Sequence, residues 1–325
     1  MTFKREWETL SEYTTVPEQD IHALVAHALP QKQITSYEII PGGCANLNIK
    51  LSFINKDEPL VLRLYFRDKD ATYREQKITE LIGKTVPVPR YYTVGDFRQY
   101  RYAIIEFIEG VTLRDFLLDC SEKDMQSIMY SAGEMLVRIQ LYKFERSGFF
   151  DRNLNVTTPF SAEDLLRFIR ERLEHPTVIE QLSLSVRDSI AQIIDLNSSC
   201  LPPDPSTHLV HADYDPANIL VHRIRGVWEI AAIIDWEFAF SGPWLCDVAN
   251  MMRYAHHMPS VFEQSFLQGI EHAGLMLPAH WRITVDLLNL VSLLDCLVHC
   301  PPKQRPRQCR DICGLIINIV QRQKI

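Results

Sequence analysis

Apolar positions recur with two different periods in the first third of the chain. Between Pro17 and Pro30, Ile21, Leu24, Val25, Ala28 and Leu29 fall at helical spacing and predict a short opening helix. Beyond it, ITSYEII, ANLNIKLSFI and PLVLRLYF are short β-rich runs, separated by Pro-Gly-Gly and by the polar turn Asn55-Lys56-Asp57. Runs of that kind predict an antiparallel meander. A helical pattern follows through TYREQKITELIGK, and then PVPRYYTVGD and RYAIIEFIEG supply two more strands around a turn at Gly95-Asp96.

After Glu109-Gly110 the pattern becomes helical, and each helix starts at a polar cap: Ser121 before EKDMQSIMYSAGEMLVRIQ and Ser161 before AEDLLRFIRERLE. One interruption stands out. HLVHADYDPANILVHR and WEIAAIIDWEFAF are strand-like runs on either side of a turn at Arg225-Gly226, which predicts a hairpin set into a helical region. Residues 200–207, rich in Pro and Ser, read as a connecting loop, and only helical patterns return from Ser260 onward. The apolar stretch from Trp281 to Cys300 is interrupted by Asp286, Asn289 and Asp295, which suits a buried helix and not a membrane span. No internal repeat or low-complexity segment is present.

These elements predict an α+β chain of two lobes: a small antiparallel-sheet lobe over residues 1–107 and a larger, mainly helical lobe over residues 108–325. The length of 325 residues exceeds what one core usually supports, so a cleft between lobes is expected. The net charge of −7 removes the polyanion attraction of a nucleic-acid binder, and an acidic surface suits a cationic partner better. The polar start MTFKREWETLSEYTT lacks the apolar centre of a signal peptide, so a cytoplasmic protein with no membrane partner is expected. Eight cysteines without dense regular spacing read as reduced thiols. The pairs Cys296/Cys300 and Cys309/Cys313, with His299, allow a metal site, but core thiols are the better reading because no C-x-x-C accompanies them. No pattern specifies an oligomeric state.

Candidate chemistry concentrates in His211-Ala212-Asp213-Tyr214-Asp215-Pro216-Ala217-Asn218, of the form H-x-D-x-x-x-x-N, followed by Ile233-Ile234-Asp235-Trp236-Glu237. Phosphoryl transfer needs a carboxylate that orients the attacking hydroxyl and accepts its proton, and oxygen ligands that hold Mg²⁺ against a triphosphate. Asp213 suits the first role. Asn218 and Asp235 suit the second, since both offer hard oxygen donors at the ends of apolar runs.

The words HADYDPANILV and IIDWEFAFSGPWLCDVANMMR resemble the catalytic loop and metal-binding segment of the aminoglycoside phosphotransferase and choline kinase group, relatives of the protein kinases. The resemblance runs from about Ile34 to Arg253 and implies a protein-kinase-like fold. It implies Asp213 as the catalytic base, Asn218 and Asp235 as metal ligands, His211 as support for the loop and Asp247 as its brace. Mg²⁺ and either ATP or GTP are the implied cofactor and co-substrate.

In the first lobe, Gly42 and Gly43 with Asn46 lie between two strands, where main-chain N–H groups have room to approach phosphates, although Gly-Gly there is more often a hairpin turn. Arg63 in VLRLYF stands where many relatives carry lysine, and Glu75 in YREQ is its expected partner. By resemblance Glu106 and Ile108, in the segment joining the lobes, meet adenine through their main chain. Arg138-Ile139-Gln140 departs from the Leu-His common in relatives, which affects packing near the loop. Substrates of similar proteins include aminoglycosides, choline or ethanolamine, methylthioribose, homoserine and fructosamines. Glu263, Glu271, Asp286 and Asp295 are candidates to face a cationic acceptor, though charges at helical spacing are usually solvated. Two other readings remain: a pseudokinase that binds nucleotide without transfer, and a metal-dependent hydrolase built on His211, Asp213 and Asp235.

Overall fold

A computed structural model describes residues 3–8, 16–41, 46–54, 57–202 and 206–323. The opening helix α1 spans Glu18–Ala28, and the strands β1 (Ile34–Ile40), β2 (Asn46–Phe53) and β3 (Leu60–Tyr65) follow it. Helix α2 (Ala71–Ile82) then leads to β4 (Tyr91–Phe97) and β5 (Tyr100–Glu106). All neighbours are antiparallel, in the order β1-β2-β3-β5-β4. The first three strands form the expected antiparallel meander, after which α2 carries the chain past the edge and β5 returns between β3 and β4. Burial explains the exchange: Tyr100 to Ile105 are all buried, whereas no residue of β4 is, so the more apolar run takes the interior position. The turn also differs from expectation. It falls at Arg98, with φ of 55°, while Gly95 lies inside β4 beneath the Tyr102 ring.

Alternation along β3 assigns its side chains to two faces. Leu60, Leu62 and Leu64 join Ile21, Leu24 and Val25 of α1 in one apolar cluster. Val61 and Tyr65 join Ala71, Ala103 and Ile105 in another, and Arg63 shares their face. Each aliphatic side chain so buried contributes about 1.5–3 kcal/mol.

The remainder is largely helical. It begins with β6 (Val111–Thr112), α3 (Leu113–Leu117) and α4 (Glu122–Ile139), continues through the hairpin strands β7 (Gly148–Phe150) and β8 (Val156–Pro159), and reaches α5 (Ala162–Leu173), α6 (Pro176–Gln181) and α7 (Leu184–Asn197). Four strands come next: β9 (His208–Val210), β10 (Ile219–Ile224), β11 (Val227–Ile233) and β12 (Phe240–Gly242). Helices α8 (Leu245–Met252), α9 (Ser260–His272), α10 (Trp281–Val298) and α11 (Pro306–Gln323) complete the chain. Ser121 caps α4 by accepting the N–H of Asp124, and Ser161 forms a capping box with Asp164. Helices α4 and α9 approach backbone to backbone at Gly133 and Gly269, where a Cβ would come within 2.1 Å of Phe266 O and Tyr130 O respectively.

The hairpin predicted around Arg225-Gly226 is narrower than its sequence runs. β10 pairs with β11 on one side and with β6 on the other, but His208–Val210 joins a separate sheet of order β8-β7-β12-β9. The run splits because Ala212 takes a φ of 70° and Pro216 opens a 3₁₀ turn capped by Asp215, both incompatible with a continued strand. In α10, Asp286 receives Arg322 at 2.6 Å and Asn289 donates to Ala249 O at 2.9 Å, so polar groups within an apolar helix are satisfied internally. No helix among the described residues is long and apolar enough to cross a membrane. Cys300 and Cys309 are buried free thiols with sulfurs 2.7 Å apart.

Candidate active site

The loop from β9 to β10 is held by buried hydrogen bonds. Asp247, at the start of α8, accepts the N–H of His211 on Oδ2 and that of Ala212 on Oδ1, each at 2.9 Å. Burial pushes the Asp247 carboxyl up to about 7, against those two donors. His211 is fully buried, and its Nδ1 accepts the N–H of Asp213 at 3.2 Å. The proton therefore sits on Nε2, which donates to Ile234 O at 3.0 Å, and burial lowers the pKa so that the ring stays neutral. Packing at 4.4 Å from the Trp236 ring completes the restraint.

Asp213 is thereby presented at the tip of a braced loop. Asn218 donates its amide nitrogen to Asp213 O at 2.9 Å and to Asp213 Oδ2 at 2.8 Å, which turns its amide oxygen the other way. Lys4 donates to Asp213 Oδ1 at 2.6 Å and also pairs with Asp215. Burial opposes ionisation of Asp213, but the Lys4 ammonium outweighs it and the carboxyl lies below its ordinary value. Burial raises Asp215 despite the same lysine.

A second cation, the buried Arg63, faces this loop from β3. Its Nη2 reaches Asp235 Oδ1 at 2.5 Å, Glu75 Oε1 at 3.3 Å and Glu237 Oε2 at 3.8 Å. The bidentate grip expected of a guanidinium is not made: one nitrogen serves these partners, and the buried Nε has none. Glu75 Oε2 accepts instead from the Tyr65 and Tyr91 hydroxyls, the latter at 2.7 Å. Burial raises Glu75 and pushes Glu237 to about 8, where the nearby Asp235 adds to the effect. Asn46 donates to Glu237 Oε2 at 2.6 Å. Asp235 itself has a φ of 68°, a conformation costly for a non-glycine residue.

Lys4, Asn46, Arg63, Asp213, Asn218 and Asp235 all line one cavity of about 1060 Å³. The family model described as phosphotransferase enzyme family (APH) matches residues 36–284. This chain belongs to that family. The phosphotransferase also has the two-lobed fold of solved aminoglycoside phosphotransferases. Against APH(4)-Ia the TM-score is 0.73 at 19% identity, covering 95% of this chain and 100% of the other. Against the GDP complex of aminoglycoside 2'-phosphotransferase-IIIa it is 0.72 at 14% identity, covering 94% and 100%. Against spectinomycin phosphotransferase APH(9)-Ia, in complex with ADP and spectinomycin, it is 0.59 at 13% identity, covering 94% and 97%. No curated protein matches the sequence.

Within the phosphotransferase, the cavity gathers Asp213, Asn218, Asp235, Arg63 and Asn46 of the residues singled out from sequence. His211 and Asp247 stand behind it as supports. Glu75 is buried behind Arg63. Gly42 and Gly43 lie outside the described residues. Glu106 does not reach the main cavity; it lines a separate pocket with Lys50, Tyr92 and Phe107, and its N–H donates to Arg90 O at 2.8 Å. Ile108 lines neither space. Gln140 is buried and donates to Leu209 O at 3.3 Å, tying α4 to the strand before His211.

Both His211 nitrogens are engaged within the loop, so His211 is unavailable as a metal ligand and the hydrolase reading loses its histidine. Among the described residues no group of three or more His, Cys, Asp or Glu is arranged to hold a metal. Mg²⁺ asks for less from protein, because phosphate and water oxygens complete its shell. The Asn218 amide oxygen and the second carboxylate oxygen of Asp235 fit that donor set. Sequence reasoning missed Lys4, Asp215 and Glu237. The last two lie inside the motifs already noted, whereas nothing in the polar start pointed Lys4 toward a residue 209 positions away.

Proposed function

We propose that the protein transfers the γ-phosphoryl group of ATP or GTP, in the presence of Mg²⁺, to a hydroxyl of a small molecule. The convergence of Asp213, Asn218, Asp235 and Arg63 on one cavity carries this reading. Asp213 orients the acceptor hydroxyl and takes its proton, while Arg63 neutralises phosphate charge. Asn218 and Asp235 would hold Mg²⁺, which when bound supplies further neutralisation of the triphosphate oxygens. His211 and Asp247 keep the loop rigid, so little reorganisation is needed when substrates arrive. ADP and GDP in the complexes of similar folds support the nucleotide assignment.

The test is Mg²⁺-dependent release of ADP and GDP over an acceptor panel, for the wild type and Asp213→Ala. Loss of a positioned base lowers acceptor-dependent turnover by about two to four powers of ten, with nucleotide affinity little changed. Undiminished turnover would remove Asp213 from this role. Nucleotide binding without any acceptor-dependent release would favour the pseudokinase reading. Asp235→Ala is expected to abolish the Mg²⁺ dependence of nucleotide binding in calorimetry.

A further inference from the structure

We infer that the acceptor is an uncharged alcohol with a broad apolar face, and that Lys4 discriminates against acceptors carrying a cation beside the reacting hydroxyl. The inference rests on the phosphotransferase reading and concerns the part of the same cavity lined by Lys4, Trp7, the β7–β8 hairpin, α5 and α10.

Charge argues first. Among the described residues, every carboxylate lining the cavity already has a cationic partner. Asp213 has Lys4, Asp235 and Glu237 share Arg63, Asp68 has Arg74, Asp164 and Glu171 share Arg167, and Asp295 has Arg172. The Arg114, Arg253 and Arg305 side chains line the same space. Buried Arg253 is held by Asn289, Asn250 and Ser292 and lies near enough to Lys4 to repel it. A polycation would have to break these pairs and meet the Arg253 guanidinium, whose named partners are all neutral. The chain-wide acidity is thus not expressed where the acceptor binds, and the cationic acceptor suggested by the net charge is disfavoured.

Lys4 is anchored at the catalytic carboxylate. Phe3 is buried against Tyr254 and Phe262, with ring centroids at 5.2 and 6.3 Å. Trp7 Nε1 donates to Asp311 at 2.8 Å, and Glu8 accepts the N–H groups of Arg307 and Gln308 at the start of α11, at 2.8 and 3.1 Å. Phe3 and Lys4 take φ values of 39° and 65°, a strained backbone that these contacts on both sides sustain. Its ammonium occupies the position beside Asp213 that an amine on the acceptor would otherwise take.

The apolar wall supplies the other half of the argument. On β7, Phe150 points into the core and Phe149, one position earlier, is 54% exposed. Phe149 stands opposite Phe240 on β12, and with Phe160 the rings form a triangle with centroids 5.3–5.7 Å apart. A partly exposed aromatic cluster inside a catalytic cavity is a ligand surface for an apolar or aromatic body. In the reaction the acceptor oxygen bonds to Pγ as its proton passes to Asp213. The bond from Pγ to the β–γ bridging oxygen breaks, and the nucleoside diphosphate leaves with that electron pair.

The experiment compares phenyl glucoside, octyl glucoside and biphenylmethanol with glucosamine, choline and kanamycin, using the full chain with Mg²⁺ and ATP or GTP. Nucleoside diphosphate release and the mass of the phosphorylated product are the readouts. The neutral apolar alcohols are expected to exceed the cationic acceptors in kcat/KM by about a hundredfold, the scale of an unrelieved like charge. Lys4→Ala is expected to narrow that ratio by about tenfold, and Phe160→Ser to raise KM for phenyl glucoside about tenfold with kcat kept. A purely structural Lys4 would lower both substrate classes together and leave the ratio unmoved. Equal or better use of the cationic acceptors, an unmoved ratio in Lys4→Ala, or no use of the neutral alcohols overturns the inference. Mg²⁺-dependent nucleotide binding by the same preparation, lost in Asp235→Ala, tests the phosphotransferase reading separately.

Discussion

Two cations that pair with carboxylates of the cavity, Arg63 and Lys4, are built in opposite ways. Arg63 rises from the interior of β3, and strand register alone places it on the face that carries Val61 and Tyr65. Lys4 comes from a short segment outside any helix or strand, and separate anchors at Phe3, Trp7 and Glu8 deliver it to Asp213 and Asp215. Both neutralise carboxylates that would otherwise be costly to bury. The difference is that Arg63 is held by the register of a central strand, while Lys4 sits on a segment outside any helix or strand that is tied to the helical core through Phe3, Trp7 and Glu8.

The largest effect is expected from Arg63→Ala. It strands Glu75 and Asp235, and breaking a buried pair of this kind costs about 3–5 kcal/mol, so denaturant unfolding should show a large loss of stability together with weakened nucleotide binding. Unchanged stability would show that the fold does not depend on Arg63. Asp247→Asn asks whether the loop between the cations depends on its brace. An amide keeps one acceptor for the His211 and Ala212 N–H groups and opposes the other with its own N–H, for a cost of about 1–3 kcal/mol.

The pH dependence follows with a definite sign. The native Asp247 pKa of about 7 lies above the ordinary 3.8, so the native state binds the proton more tightly than the unfolded state does. This contribution is fully present below pH 4 and is lost as pH rises towards and through 7. Wild-type stability should therefore carry a falling component over that window that is missing in Asp247→Asn. The smallest effect expected is from Glu8→Ala, which frees the start of α11 and loosens the segment bearing Lys4. About 1 kcal/mol is the scale of a lost helix cap. A change that size in the acceptor KM, without a change in nucleotide affinity, would identify the segment as an attachment that acts on the acceptor side only.

Much of the site was legible because its residues are close together in sequence. The His211–Asn218 word and Asp235 fall near one another in the chain, and a short loop and a hairpin suffice to bring them together. Arg63 and Glu75 were legible for another reason: the resemblance implies a basic side chain on the third strand and a glutamate partner in the helix that follows. The order β3-β5-β4 was not legible, since several pairings satisfy the same alternation and only packing of the more apolar run selects one. The place of the bend was misjudged at Gly95 because glycine marks turns but also sites where a ring such as Tyr102 packs on the backbone.

Local pattern and motif spacing thus determined the class of elements, the family and the set of oxygen donors suited to phosphoryl transfer. These are short-range properties, decided by side-chain chemistry and by periods of two or 3.6 residues. Only the tertiary structure decided which charge stands beside Asp213, how each cavity carboxylate is neutralised, and that the Phe149, Phe160 and Phe240 rings meet. Those facts depend on contacts between segments up to 209 residues apart, whose pairing is chosen by the global packing of the core and leaves no periodic trace in the chain.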